Sequence, residues 1–173
     1  MFEVGNYVVY GSTGVCKVDK IGPLVKMHFP KEKIFYTLLP VYSKGSKVFT
    51  PIDSDKVILR PVLSKEEALI LIEEIDEMEE MWIPDNKKRE EEFKICMKKC
   101  DCRELVKVIK TIHARRDERL SEGKKVTAGD EKILHIAKEN LSRELAIALE
   151  LDKDLVEEYI GKRIEGKECH PIY

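Results

Sequence analysis

Catalytic signatures are missing from this chain of 173 residues. It has no phosphate-binding glycine loop, no dinucleotide fingerprint and no HExxH, so the usual nucleotide-dependent and zinc-hydrolase chemistries have no motif to rest on. No cysteine–histidine pair stands in flanking sequence that points to a nucleophile, and the polar residues of the first part of the chain are mostly lysines at strand ends. The expectation is a protein that is not an enzyme and carries neither cofactor nor metal. Long apolar runs are missing too. None approaches the roughly 20 residues of a bilayer span, so no membrane partner is expected. The opening MFEVGNYVVYG lacks a basic region, a long apolar stretch and a small-residue cleavage site, and is not expected to act as an export signal. The cysteines number five, an odd count, which in such a chain points to reduced thiols in a cytoplasm. Tryptophan is reduced to a single residue, Trp82.

What the chain does have is charge, unevenly spread. Charged residues make up 37% of it, yet the net charge is only −2. Residues 61–81 hold one lysine and eight acids, whereas residues 87–125 hold fourteen bases and eight acids. The overall balance therefore says little about partners, but a basic segment following an acidic one can form a local face for an anionic ligand.

The first 60 residues have the pattern of strands. Tyr7–Tyr10 is a β-branched and aromatic run closed by Gly11-Ser12-Thr13-Gly14. Val15–Ile21 alternates apolar and polar, and Gly22-Pro23 punctuates it. Lys33–Tyr42 is the longest strand candidate, Lys44-Gly45 is a hairpin signal, and Lys47–Pro51 and Val57–Arg60 follow. About five short antiparallel strands at this spacing predict a small β-barrel. The pattern changes at Pro61. Ser64-Lys65-Glu66-Glu67 is a capping box, and Ala68, Leu71, Ile72, Ile75 and Met78 continue at helical spacing until the break at Ile83-Pro84. Asp85 or Asn86 can cap a second helix that buries Phe93. Asp101-Cys102-Arg103-Glu104 is a further capping box before Leu105, Val108, Ile109 and Ile112. Thr127 opens a long helix, and a last one spans roughly Asp152 to Arg163. The fold class expected is α+β, a small antiparallel β domain over residues 1–61, then an all-α domain of about five helices over 62–164, with 165–173 as a tail.

Two features carry chemistry. Cys96, Cys100 and Cys102, with His113 and Cys169-His170 as further ligand candidates, are the best metal grouping. Structural zinc sites usually show two close ligand pairs, and this spacing departs from that. Half-buried thiols at a helix junction are the other reading. The second feature is the basic segment. Lys87, Lys88, Arg89, Lys94, Lys98 and Lys99 lie along one helix, Arg115, Arg116 and Arg119 end the next, and Lys124 and Lys125 follow in a loop. Converging on one face, they would bind phosphates without reading sequence. On separate faces they are solvated lysines and partners of helix dipoles. Trp82, beside them on a loop, can stack on a base or wedge between base pairs. Against this, an isolated indole gains by folding back onto a core.

The opening FEVGNYVVYGSTGVCKV resembles the start of the CarD/CdnL family of bacterial transcription regulators, a module shared with the RNA polymerase interaction domain of transcription-repair coupling factor. The segment RRDERLSEGKKVTAGDEKILHIAKENLSRELAIAL resembles that family's second signature. The resemblance covers about residues 1–150. It implies a Tudor-like β domain that adds a strand to the lobe of the polymerase β subunit, through Lys47, Val48, Phe49 and Thr50 with Lys20, Ile21 and Leu24. It implies a helical domain on promoter DNA near the upstream edge of the bubble, with Trp82 as the wedge. The DNA-backbone contacts it implies are Lys87, Lys88, Arg89, Arg115, Arg116, Lys124 and Lys125. Such a protein would be a cytoplasmic monomer, held at the nucleoid through polymerase, and its open sheet edge would also permit a domain-swapped dimer. The alternatives are a polymerase-docked adaptor that never touches DNA, or a thiol- or zinc-responsive regulator. Two departures from the family stand out. The residues Ile83-Pro84-Asp85-Asn86 intervene between the tryptophan and the basic cluster, where relatives place an arginine pair almost directly. Phe49 stands where some relatives have arginine.

Overall fold

Alternation of apolar and polar residues builds the first unit, Met1–Val62. In the computed structural model, which describes residues 1–24, 33–43 and 45–164, it forms five strands: β1 (Tyr7–Tyr10), β2 (Gly14–Gly22), β3 (Phe35–Pro40), β4 (Val48–Pro51) and β5 (Leu59–Pro61). They make one antiparallel sheet in the order β4-β3-β2-β1-β5. Register explains the core. Val8 lies opposite Cys16, Val18 opposite Leu38, and Leu38 opposite Val48. With a side-chain period of two, these residues share a face and bury together with Tyr36. The Tyr36 hydroxyl accepts a hydrogen bond from the Phe2 N–H at 3.1 Å, and the two rings meet edge-on. Gly11 is required twice over. Its φ is +42°, and a Cβ there would stand 2.6 Å from a Val57 methyl.

The longest strand is β2, with 9 residues, and not the segment 33–42, of which only 6 pair as β3. β2 is interior and pairs on both sides, and a register shift between Val18 and Lys20 lets it continue. β3 stops at Pro40, after which Ser43 N–H donates back to the Pro40 carbonyl and the chain turns. The hairpin residue Lys44 lies outside the described residues, while Gly45 has the positive φ, +83°, that such a turn uses. The last strand begins at Leu59 rather than Val57.

The second unit begins at Leu63 and holds α1 (Lys65–Glu74), α2 (Asn86–Lys99), α3 (Cys102–Ser121), α4 (Ala128–Ala148) and α5 (Lys153–Ile164). Ser64 and Glu67 form both halves of the capping box that starts α1, at 3.1 and 2.8 Å. Asp85 caps α2, Asp101 caps α3 and Thr127 caps α4. The box expected at Asp101 is only half formed. Glu104 returns no bond to the cap, because its carboxylate is taken by the Cys96 thiol at 3.3 Å and Lys107 at 3.5 Å. α1 also ends well before Ile83. The acids Glu73, Glu74, Asp76 and Glu77 crowd its C-terminus, where the helix dipole disfavours negative charge, and Lys110 takes up the carbonyls of Ile75 and Asp76 at 2.9 and 3.0 Å. The core is Leu71, Ile72 and Ile75 of the first helical segment, Phe93 of α2, Leu105, Ile109 and Ile112 of α3, Leu141 and Leu145 of α4 and Ile160 of α5. The fold is thus α+β, a Tudor-like sheet followed by five helices.

Burial pushes the Cys16 and Cys96 thiols up from 9.0 to about 11, with the Glu104 hydrogen bond adding to the shift at Cys96. Both are held neutral in the fold and ionise sooner in the unfolded chain. Their stabilisation is therefore complete below pH 9.0 and is lost as pH rises to about 11. Urea midpoints should fall across that window, and fall less steeply in a Cys16→Val, Cys96→Val double variant.

Candidate nucleic-acid interface

The segment between α1 and α2 is irregular but tightly held. Met81 N–H donates to the Thr111 hydroxyl at 2.8 Å, and that hydroxyl donates to the Lys107 carbonyl at 2.6 Å. Two residues on, the Ile83 carbonyl accepts from a terminal nitrogen of Arg89 at 2.9 Å, and the other terminal nitrogen reaches Asn86 Oδ1 at 2.5 Å. Asp85 then caps α2 by accepting from Lys88 N–H at 2.8 Å. Met81 and Ile83 are half-buried, and Trp82 between them is 89% exposed. With Met81 and Ile83 tied down by their backbone groups, the indole between them is left outward. Folding back would gain about 1.5–3 kcal/mol, the worth of burying a large apolar side chain. The fixed backbone forgoes that gain. The four residues after Trp82 have visible duties: Ile83 and Asn86 receive Arg89, Asp85 caps the helix, and Pro84 lines the cleft beside the indole.

That cleft, about 390 Å³, is bordered by Trp82, Ile83, Pro84, Arg89, Thr111 and Arg115 among others. Of the basic residues singled out in the sequence, Arg89 and Arg115 therefore share a cleft with Trp82. They do so differently from expectation. Arg89 is only 4% exposed, and burial, then the neighbouring Arg115 charge, pull its guanidinium below the usual value. It faces the protein rather than solvent and is not placed to touch a DNA backbone. Arg115 lies 3.8 Å from Asp130 and is partly covered. Lys87 and Lys88 are exposed on the first turn of α2, which has no acid. Cations there oppose the helix dipole, so helix stability does not account for them. Arg116 is exposed. Beside it is a cation missed in the sequence, Lys138 of α4, whose ammonium is pulled down by burial, opposed by Glu157 and lowered further by Arg116. Lys124 and Lys125 are exposed, and Lys124 pairs with Glu122 at 2.7 Å. Their loop is fixed by Arg119, whose Nε donates to the Lys125 carbonyl at 2.9 Å.

Residues 2–63 match the family model of the CarD-like/TRCF RID domain, and residues 68–161 match that of the CarD C-terminal domain. The chain belongs to the CarD family. Among curated proteins none matches it. CarD-like domains mark a family of transcription regulators that interact with RNA polymerase.

In this CarD sheet, β4 is an edge strand. Lys20 pairs with Thr37 and Thr37 with Phe49, so Lys20 and Phe49 share one face across three strands. Phe49 is 36% exposed, and Lys47, also exposed, lies 3.8 Å from Asp19. Ile21, Tyr36 and Thr50 form the adjacent row, and Ile21 and Val48 pack on the core. Of the residues expected to meet polymerase, Ile21 and Val48 are half-buried and Thr50 is buried. Leu24 is half-buried.

The CarD C-terminal domain also gathers the three thiols at the junction of α2 and α3, but gives each its own partner. Cys96 donates to Glu104, Cys102 donates to Glu144 at 3.1 Å, and Asn140 donates to Cys100 at 3.8 Å. Among the described residues no three ligand groups converge on a metal position; Cys169 and His170 lie outside them. Nor is any described helix long and apolar enough to cross a membrane.

As the sole tryptophan, Trp82 reports its own surroundings. Its emission should match that of free tryptophan in water and be quenched fully by acrylamide. A blue-shifted, protected emission would place the indole in the core instead.

Proposed function

We propose that this CarD-family protein docks on the lobe of the RNA polymerase β subunit through its β4 edge and stabilises the promoter open complex with Trp82 at the upstream fork. The observation that carries the reading is an indole left 89% exposed on a segment tied down on both sides. Exposed aromatics held rigid are the means by which proteins wedge between base steps. Lys87, Lys88, Arg115, Arg116, Lys124 and Lys125 are the phosphate contacts, joined by Lys138. The protein acts as a monomer on duplex DNA at the edge of the bubble, and its chemistry is non-covalent.

Melted DNA is a minor state, and a ligand shifts that equilibrium only by its differential affinity. One wedged aromatic and a few phosphate contacts supply enough for shifts of about tenfold to a hundredfold. The β4 edge supplies strand addition, with Phe49 as its apolar side-chain contact.

Trp82→Ala should shorten open-complex lifetime about tenfold while leaving stability within about 0.5 kcal/mol, as befits a surface site. Affinity for forked promoter DNA should fall steeply with salt, and Lys87→Ala with Lys88→Ala should reduce that slope by about two. Salt-independent behaviour with an unchanged lifetime would leave a polymerase-docked adaptor in place of this reading.

Phe49→Glu should abolish polymerase binding with the β domain still folded, as pull-down and circular dichroism would register. Retained binding would move the docking surface elsewhere.

A further inference from the structure

Arg89 and Thr111 are the two most deeply buried polar groups around Trp82, 4% and 3% exposed, and neither is placed to touch DNA. Each hydrogen-bonds to backbone on one side of the tryptophan, Thr111 to Met81 N–H and Arg89 to the Ile83 carbonyl. They come from different helices, α3 and α2, so the segment is clamped between two elements rather than stiffened by one. Thr111 is also engaged through its own proton with the Lys107 carbonyl, which fixes the hydroxyl rotor so that its lone pairs face Met81. Arg89 engages both terminal nitrogens, on Ile83 and Asn86.

We propose that Arg89 and Thr111 are positioning residues that hold Trp82 in its DNA-competent, outward orientation before the fork arrives. The proposal rests on the reading of Trp82 as the fork wedge. A loop that sampled inward and outward states would bind with its intrinsic affinity reduced by the outward fraction. The clamp removes that reduction, and it removes ordering at the moment of binding.

Thr111→Val keeps shape and volume but leaves Met81 N–H without its acceptor. Helix α3 itself should tolerate the change, because threonine bonding back along a helix is mildly unfavourable to it. The measurements are the melting temperature, the fluorescence anisotropy of Trp82, and open-complex lifetime with polymerase holoenzyme on promoter DNA. We expect a melting temperature lowered by only a few degrees, a more mobile indole, and a lifetime shortened about three- to tenfold, the scale of one hydrogen bond. Thr111→Ser should restore both anisotropy and lifetime. In a Trp82→Ala background Thr111→Val should shorten the lifetime no further, since the group it positions is gone. Arg89→Met tests the other anchor by the same three measurements. Wild-type anisotropy and lifetime in both anchor variants overturn the proposal. So does an equal loss of lifetime with and without Trp82, which marks a structural role only. If Trp82→Ala leaves lifetime unchanged, the wedge reading falls and takes the anchors' role with it. A lifetime lost in Trp82→Ala but kept in both anchor variants overturns the positioning alone.

Discussion

The hydrogen bond between Met81 N–H and the Thr111 hydroxyl sets the orientation of everything on the segment that follows. Met81 is fixed to α3, the Ile83 carbonyl meets Arg89 of α2, and Trp82 between them is left exposed. Arg89 is then committed to the interior. A buried guanidinium needs its donors used, and the terminal ones go to Ile83 and Asn86. Asn86 opens α2, and its helical position is secured by the Asp85 cap. Lys87 and Lys88 emerge next, directly after the clamp. Indole and bases therefore occupy fixed positions along one stretch of chain, although four residues separate them.

A second set of buried polar groups holds the helices that supply the clamp. Glu144, 2% exposed, accepts from Leu63 N–H at 3.2 Å with one oxygen and from the Cys102 thiol with the other. Cys100 adopts a left-handed conformation, φ 48°, which ends α2 and lets Asp101 cap α3 immediately. The reversal between α2 and α3 is thereby kept very short, and α3 can present Thr111 to the same segment that Arg89 of α2 holds. The thiols that looked like metal ligands serve this junction. Their partners are separate, and burial holds the Cys96 thiol neutral, which makes Cys96 a poor nucleophile.

Much of the scaffold was legible in the sequence because local signals sufficed. Ser64, Asp101 and Thr127 each start a helix by their own side chain, and the periodic apolar residues from Leu105 to Ile112 and from Leu141 to Leu145 became core. The strands were found, though pairing partners decided their lengths. What stayed hidden depended on groups distant in sequence. Met81, next to the outward Trp82, is held by Thr111, thirty residues from it, and no local pattern records that. Arg89 sits in a run of bases and reads as solvent-exposed until the Ile83 carbonyl claims it. Thr111 did leave a trace, as a hydroxyl within an apolar helix face, a place where a polar group needs a partner. In β4, alternation alone separates the outward Phe49 from the inward Val48 and Thr50, but only pairing with β3 shows which set is which.

The charge pattern has the same logic as the clamp. Acids collect at the C-terminus of α1, and Lys87 and Lys88 stand at the N-terminus of α2. Both placements run against the helix dipole, by about 0.3–1 kcal/mol for a surface charge. Lys110 offsets the first by reaching the carbonyls of Ile75 and Asp76 just past α1. The Asp85 cap offsets part of the second. A polyanion would offset it further, since phosphates are favoured where helix N–H groups and cations converge. The acids of residues 73–80 would meanwhile repel DNA from the α1 side. On the proposed reading, bases after the tryptophan and acids before it would define a direction of approach for DNA, with the exposed indole at the boundary between them. On that reading a backbone free to turn would let Trp82 seek cover, and the bases would then hold DNA beside no exposed aromatic.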